Sequence, residues 1–273
     1  MAGGRKLNNI NDFQRSLRNK YGLEEGTSYK PWIRVQDIPS QGTSSKIWGL
    51  KTQREHHLLS HNESVFFYLC EHSDRVIDIR EQFPLLPLDH TLRIASSLNI
   101  KHPLVVSTKN PNVMTTDFLL TCQRDGQLSY EAICVKPAEE LANKRTAEKI
   151  DIERVFWELL GVRFRIFVLT KQLKAQAANI KWATWPLRHG NYEDEFLDEA
   201  VLLIGTGLQM RTTLCERIVR HLGVELDDAI NVMRALIGSK RVQLDSSRDW
   251  LEAEAFNILA IQTLGVRNQY RAD

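Results

Sequence analysis

The run Thr116-Asp117-Phe118-Leu119-Leu120, the stretch Gln123-Arg124-Asp125-Gly126-Gln127 and the run Ala132-Ile133-Cys134-Val135-Lys136-Pro137 follow one another in this chain. The outer two are short and β-rich, and the middle one is turn-forming, so together they predict an antiparallel hairpin. Side chains alternate along a strand, which puts Cys134 and Lys136 on one face. If that face also receives Asp117, a carboxylate, a thiol and an ammonium meet at the end of a two-stranded sheet. That grouping looks like a nuclease core, where a divalent metal and its water could sit.

Working outward, Leu59, Phe66 and Cys70 fall on one helical row that Val65 and Leu69 widen, so the segment from Ser60 to His72 predicts an amphipathic helix. Val76 to Phe83 alternates like a strand, and Pro84 and Pro87 end it. Beyond the hairpin, one long helix is expected from Glu139 to about Leu160, closed by Gly161, with Leu141, Ile152, Val155, Phe156 and Leu159 against a sheet. Arg163 to Thr170 supplies a further strand. The order helix, strand, strand, strand, helix, strand predicts an α/β core with a mixed sheet. The chain begins with a basic segment, Arg15 to Lys20, and the turn-rich passage after it through Pro31, Pro39 and Gly42 reads as connection or an arm.

Between Lys171 and Asp194 the periodicity is interrupted by Pro186, Gly190 and Glu193-Asp194-Glu195, which suggests a first domain over 1–175 and a second over 176–273. In the second, Thr212-Thr213 could cap a helix running to His221, and Gly223 makes a turn. Asp227 begins another helix carrying Ile230, Met233, Leu236 and Ile237, and Gly238 to Asp245 turns into a strand. Helix, turn, helix and wing strand is winged-helix order. Glu225, Asp227 and Asp228 at the start of the second helix would repel phosphates. Protein contact, or DNA contact through Lys240, Arg241 and Arg248 around the wing, is therefore expected over insertion of that helix into DNA. Trp182 and Trp185 are expected to anchor the domain junction, with base stacking as the other reading.

Composition narrows the function classes. The chain has 273 residues, 42% of them hydrophobic, which suffices for one large domain or two ordinary ones. A net charge of +2 does not describe a protein that coats DNA by bulk charge, so any nucleic-acid contact must be local. Cys70, Cys122, Cys134 and Cys215 show no CxxC spacing, so neither a disulfide framework nor a structural zinc site is indicated. No apolar run reaches the length of a membrane span, and Met1-Ala2-Gly3-Gly4-Arg5-Lys6 lacks the apolar stretch of a signal peptide; a cytoplasmic protein is expected.

The segments His56-His57-Leu58-Leu59-Ser60, Glu63, Asp78-Ile79-Arg80-Glu81-Gln82-Phe83-Pro84-Leu85-Leu86-Pro87, Asp117-Phe118-Leu119 and Val135-Lys136-Pro137-Ala138 occur in one order. This ordered set resembles the TnsA endonuclease subunit of heteromeric, Tn-seven-type transposases, over most of residues 30 to 170 and less distinctly beyond. The resemblance implies a restriction-endonuclease-like nuclease domain followed by a mainly α, winged-helix-like domain. It implies metal-dependent cleavage at the 5′ ends of a transposon during cut-and-paste transposition, with Mg²⁺ as cofactor and Mn²⁺ as its substitute. The partners it implies are transposon-end DNA, a TnsB-type transposase for the 3′ ends and a TnsC-type ATPase regulator. Carried over residue by residue, the catalytic acids fall on Glu63 and Asp117 and the lysine on Lys136. Asp117 would bridge metal ions, Glu63 would reach in from a neighbouring helix, and Lys136 would orient or deprotonate the attacking water. Where a family member has glutamine before Val-Lys, this chain has Cys134. A soft thiol is a poor Mg²⁺ ligand, so Cys134 or Val135 would contribute through a backbone carbonyl.

Each residue also has a plainer reading. Ser60-His61-Asn62-Glu63 matches a helix capping box, Asp117 a strand-end turn residue and Lys136 a solvated edge guard. His56, His57 and His61 suggest helix-entry or phosphate contacts more than a metal cluster, since an adjacent pair points in different directions. A stand-alone restriction or repair nuclease on the same core is the enzymatic alternative, and a decayed winged-helix adaptor the non-enzymatic one.

Overall fold

A computed structural model describes residues 4–37 and 43–263. Met1 to Gly3 and the turn positions Pro39 and Gly42 lie outside the described residues. The chain divides into two compact units, Met1–Leu169 and Thr170–Asp273.

The first unit is built on a mixed sheet of four strands in the order β3-β4-β5-β6: Val76–Pro84, Thr115–Arg124, Gln127–Val135 and Arg163–Phe167. The first two pairings are antiparallel and β5–β6 is parallel. The expected hairpin is β4–β5, and its register closes on Arg124 opposite Gln127. A two-residue loop remains, Asp125-Gly126, with φ +50° and +75°. Both values are positive, the requirement of the turn whose twist matches paired strands, and asparagine, aspartate and glycine meet it best. The parallel pair needs a crossover, which helices α4 (Ala138–Leu141) and α5 (Lys144–Leu159) provide. The single long helix expected here is therefore two. Asn143 interrupts it, because its side-chain oxygen accepts from the Arg145 and Thr146 amides (2.9 and 3.1 Å) and starts a new helix. Ile152, Phe156 and Trp157 of α5 pack on Leu119 and Ala132 of the sheet.

Further elements lie outside the periodicity read from sequence. The basic segment overlaps a helix: α1 (Ile10–Arg18) begins at an Asn9 cap and buries Phe13 against Trp32 and Val113. A hairpin of β1 (Ser45–Trp48) and β2 (Glu55–Leu58) precedes helix α2 (His61–His72), and α3 (Leu88–Ser97) follows β3. His56 and His57 are consequently strand residues, not helix-entry groups, and both are buried. Glu81, fully buried on β3, explains why. Its carboxylate accepts from both terminal nitrogens of Arg54 (2.9 and 2.6 Å), from His56 Nδ1 (2.7 Å) and from the His57 amide (3.0 Å). Burial alone would raise the Glu81 pKa, but His56 and Arg54 outweigh it and hold the carboxyl far below its usual range.

Asp37 is held down in the same way, to about 2, because hydrogen bonds from Arg34 and Arg5 overcome its desolvation. A carboxyl lowered on folding binds fewer protons folded than unfolded, so its contribution is present above its unfolded pKa and lost as pH falls through the folded one. The melting temperature should accordingly drop as pH goes from roughly 5 toward 2, and Glu81→Gln should flatten the profile. Thermal melts across that range check this; an unflattened profile would remove Glu81 from the account.

The second unit contains α6 (Lys171–His189), α7 (Asp194–Val201), β7 (Gly207–Met210), α8 (Arg211–Leu222), α9 (Leu226–Gly238), β8 (Val242–Leu244) and β9 (Ala255–Ile261). The strands form an antiparallel sheet in the order β7-β9-β8. The interrupted stretch after Lys171 is a helix that contains Pro186, started by the Thr170 hydroxyl accepting from the Leu173 amide. Helix α8 starts at Arg211 with Met210 at its cap position, two to three residues earlier than a cap at Thr212-Thr213 suggests. Trp182 packs on Phe256 and accepts two bonds from Arg234 at its carbonyl, and Trp185 stacks on His189, so both rings have partners inside this unit. Arg241 cannot serve as a wing contact to DNA: it is 2% exposed and its guanidinium bonds Asp198 (2.7 Å) and Asp194 (3.0 Å).

Candidate active site

Strand pairing brings the start of β4 beside the end of β5. There Asp117 Oδ2 accepts from the Val135 amide (2.7 Å) and from Lys136 Nζ (3.0 Å). The same ammonium donates to the Val135 carbonyl at 2.9 Å. Lys136 is tied on its other side too, its amide donating to Phe167 O of the parallel strand β6 (3.1 Å). The open end of the hairpin is thus pinned by strands on both flanks.

Glu63 stands in the first turn of α2 and does cap it. Its amide donates to Ser60 Oγ (3.2 Å), the Ser60 hydroxyl donates to Oε1 (2.9 Å), and the Leu59 amide donates to Oε2 (2.9 Å). The reach-back goes to Leu59, one residue before the cap. This geometry also puts the carboxylate in the field of Asp117. Burial first, and the Asp117 charge second, push Glu63 up to about 7. Capping and membership of the acidic group are one arrangement, not alternatives.

A third carboxylate escaped the sequence reading. Glu153 of α5 is buried, accepts from Thr116 Oγ1 at 2.8 Å and shares a hydrogen bond with the Cys134 side chain. Thr116 is itself held by Trp157 Nε1 (2.6 Å). Burial, then the Asp117 charge, raise Glu153 to about 8. The signal was available: Ile150, Glu153 and Trp157 lie at i, i+3 and i+7 on the sheet-facing row of α5, where an acid needs a reason.

Three carboxylates therefore converge on one ammonium. Burial works against the charge on Lys136, but Asp117 outweighs it and holds the lysine pKa above its usual value. Cys134 is 1% exposed, and desolvation followed by the Glu153 charge pushes its thiol pKa up, so in the metal-free site the side chain is a neutral neighbour of Glu153. Among the described residues, no three His, Cys, Asp or Glu side chains could hold a metal ion by themselves. The oxygens of Asp117 and Val135 nevertheless already accept a cation, the Lys136 ammonium, and the Glu63 carboxylate is close enough to Asp117 to feel its charge. Hard oxygen donors of this kind fit a hard divalent cation.

Residues 73–168 match the family model described as TnsA-like endonuclease N terminal. That span runs through the four-stranded sheet and includes Asp117, Lys136 and Glu153; Glu63 precedes it. The chain is also 36% identical over 226 residues to transposon Tn7 transposition protein TnsA of Escherichia coli, a match covering 81% of each. Among the described residues no helix is long and apolar enough to cross a membrane. At that identity and coverage, and with the nuclease sheet inside the matched family span, the chain belongs to the TnsA family of transposition endonucleases.

Proposed function

We propose that Glu63, Asp117 and Lys136 form the catalytic centre of a metal-dependent endonuclease that cuts the 5′ ends of a transposon in cut-and-paste transposition. The observation that carries this reading is the Lys136 ammonium shared between Asp117 Oδ2 and Val135 O, at the point where two further carboxylates gather. Glu63, Asp117 and the Val135 carbonyl would hold Mg²⁺, with Mn²⁺ as substitute; when bound, such an ion polarises a scissile phosphate and lowers the pKa of its water. Asp117 is oriented beforehand by the Val135 amide and Glu63 by the start of α2. Asp117 holds Lys136 charged in the metal-free site, which supports a lysine that orients the attacking water by donating and offsets charge developing on the phosphoryl oxygens.

The first unit supports a restriction-endonuclease-like domain, and α8, α9 and the β8–β9 pair support a winged-helix-like second domain. We set the division before α6, because a cut at 175/176 would fall inside that helix. The acidic start of α9 and the internal pairing of Arg241 favour protein over DNA as the contact of the second domain. A TnsB-type transposase for the 3′ ends, a TnsC-type ATPase and a cytoplasmic location complete the reading. It is tested by cleavage of transposon-end DNA by the purified protein, with and without transposase and Mg²⁺. Cutting that proceeds in chelator would end the metal assignment.

Cys134 offers a separate check. Its thiol faces Glu153, so Cys134→Ser should leave the Mg²⁺ dependence of cleavage unchanged. A rise in the Mg²⁺ midpoint by about tenfold or more, on the scale of losing a group that tunes a metal site, would show that the thiol matters to the ion.

A further inference from the structure

Gln82, in the middle of β3, has φ +47°. This is the left-handed region, which strands do not use and which a side chain with a Cβ enters at an energetic cost. The ladder on either side is regular, Glu81 opposite Phe118 and Phe83 opposite Thr116, so the residue facing Gln82 across the interruption is Asp117. The distortion is held by the N-terminal segment: the Tyr29 hydroxyl donates to the Glu81 carbonyl (2.9 Å) and the Trp32 amide to the Gln82 carbonyl (3.2 Å). The side chain is 3% exposed and its amide is used at both ends. Oε1 accepts from Thr115 Oγ1 (3.1 Å), and Nε2 donates to Glu63 Oε2 (3.3 Å), the oxygen that also takes the Leu59 amide.

An amide suits this place for a chemical reason. Glu63, Asp117 and Glu153 already crowd negative charge together, so a fourth carboxylate would repel them, and a second ammonium would compete with any divalent cation. A neutral donor fixes Glu63 without either effect. We propose that Gln82 is a positioning residue: the left-handed backbone at this point aims its amide at Glu63 and so orients that carboxylate, together with Asp117, for a divalent cation. The inference rests on the reading of Glu63 and Asp117 as the metal-holding pair.

Two substitutions separate orientation from folding. Gln82→Gly removes the amide and relieves the left-handed strain; Gln82→Asn tolerates that backbone but is one methylene too short to reach Glu63. With the full chain, Mn²⁺ affinity is measured by titration calorimetry, melting temperature without metal, and cleavage as a function of Mg²⁺. Both variants should bind Mn²⁺ about 10- to 100-fold more weakly, the usual loss when a group orienting a ligand is removed. Loss of the buried amide contacts should lower the metal-free melting temperature of both variants, less in Gln82→Gly because its backbone strain is relieved, and raised Mg²⁺ should restore cleavage toward the wild-type rate. Unchanged Mn²⁺ affinity, or cleavage that raised Mg²⁺ fails to restore in variants still folded at the assay temperature, would overturn the proposal. Asp117→Asn serves as the control: if it binds Mn²⁺ and cuts like wild type, the site assignment fails, whereas a defective Asp117→Asn beside unaffected Gln82 variants fails the role of Gln82 alone.

Discussion

Asp117→Asn should lower 5′-strand cutting by on the order of 10³-fold, the scale of removing one preorganised electrostatic group from a reaction centre. Asparagine keeps an oxygen for the Val135 amide, so the hairpin end stays hydrogen-bonded while the charge facing Lys136 is lost. Asp117→Ala should be as inactive and less stable, since the Val135 amide and the Lys136 ammonium both lose their partner, at a cost of about 1–3 kcal/mol. In the presence of the partner transposase, 3′ cutting should persist and joining should become replicative. Gel analysis of both strands, with circular dichroism to confirm folding, reads the result. Wild-type 5′ cutting by a folded Asp117→Asn protein would sink the assignment.

The largest expected effect on stability lies away from the site. Arg54→Ala should destabilise the first unit by about 3–5 kcal/mol, because it strips a doubly hydrogen-bonded guanidinium from a fully buried carboxylate. For a unit of this size that corresponds to a fall in melting temperature of roughly 10 °C. The double change Arg54→Met with Glu81→Gln should recover part of the loss: it removes both charges and leaves an oxygen for the His57 amide. A single Arg54→Ala within about 1 kcal/mol of wild type, the scale of an exposed pair, would show that the network does not hold the strand.

How legible these features were in sequence depended on the range of the interaction that creates them. The β4–β5 hairpin was readable because Asp125-Gly126 meets its turn requirement locally. The α2 start was readable for the same reason, in Ser60 and Glu63. Asn143 was also local, yet its capping signal is buried in a charged run that keeps helical periodicity, and the break went unseen. The histidines of β2 were misread because their partner, Glu81, lies 25 residues away from His56 and only the folded sheet joins them. Glu153 and Gln82 were overlooked for a related reason: an acid on an apolar helix row and a polar residue in a strand acquire meaning only beside Asp117.

The turn at the far end of the hairpin has a practical use. Seven residue steps separate Asp117 from Arg124 along β4, about 24 Å of extended chain. Residues Arg124 to Tyr130 are exposed there, while the strands between turn and site are locked in register. A cysteine introduced at Gln127 can carry a fluorophore whose signal reports docking of a DNA end or another protein, and Gly126 keeps its positive φ untouched. The four native cysteines are buried, so a label directed to that position would leave them largely unreacted in the folded protein and would give a single-site probe of assembly without a cysteine-free background.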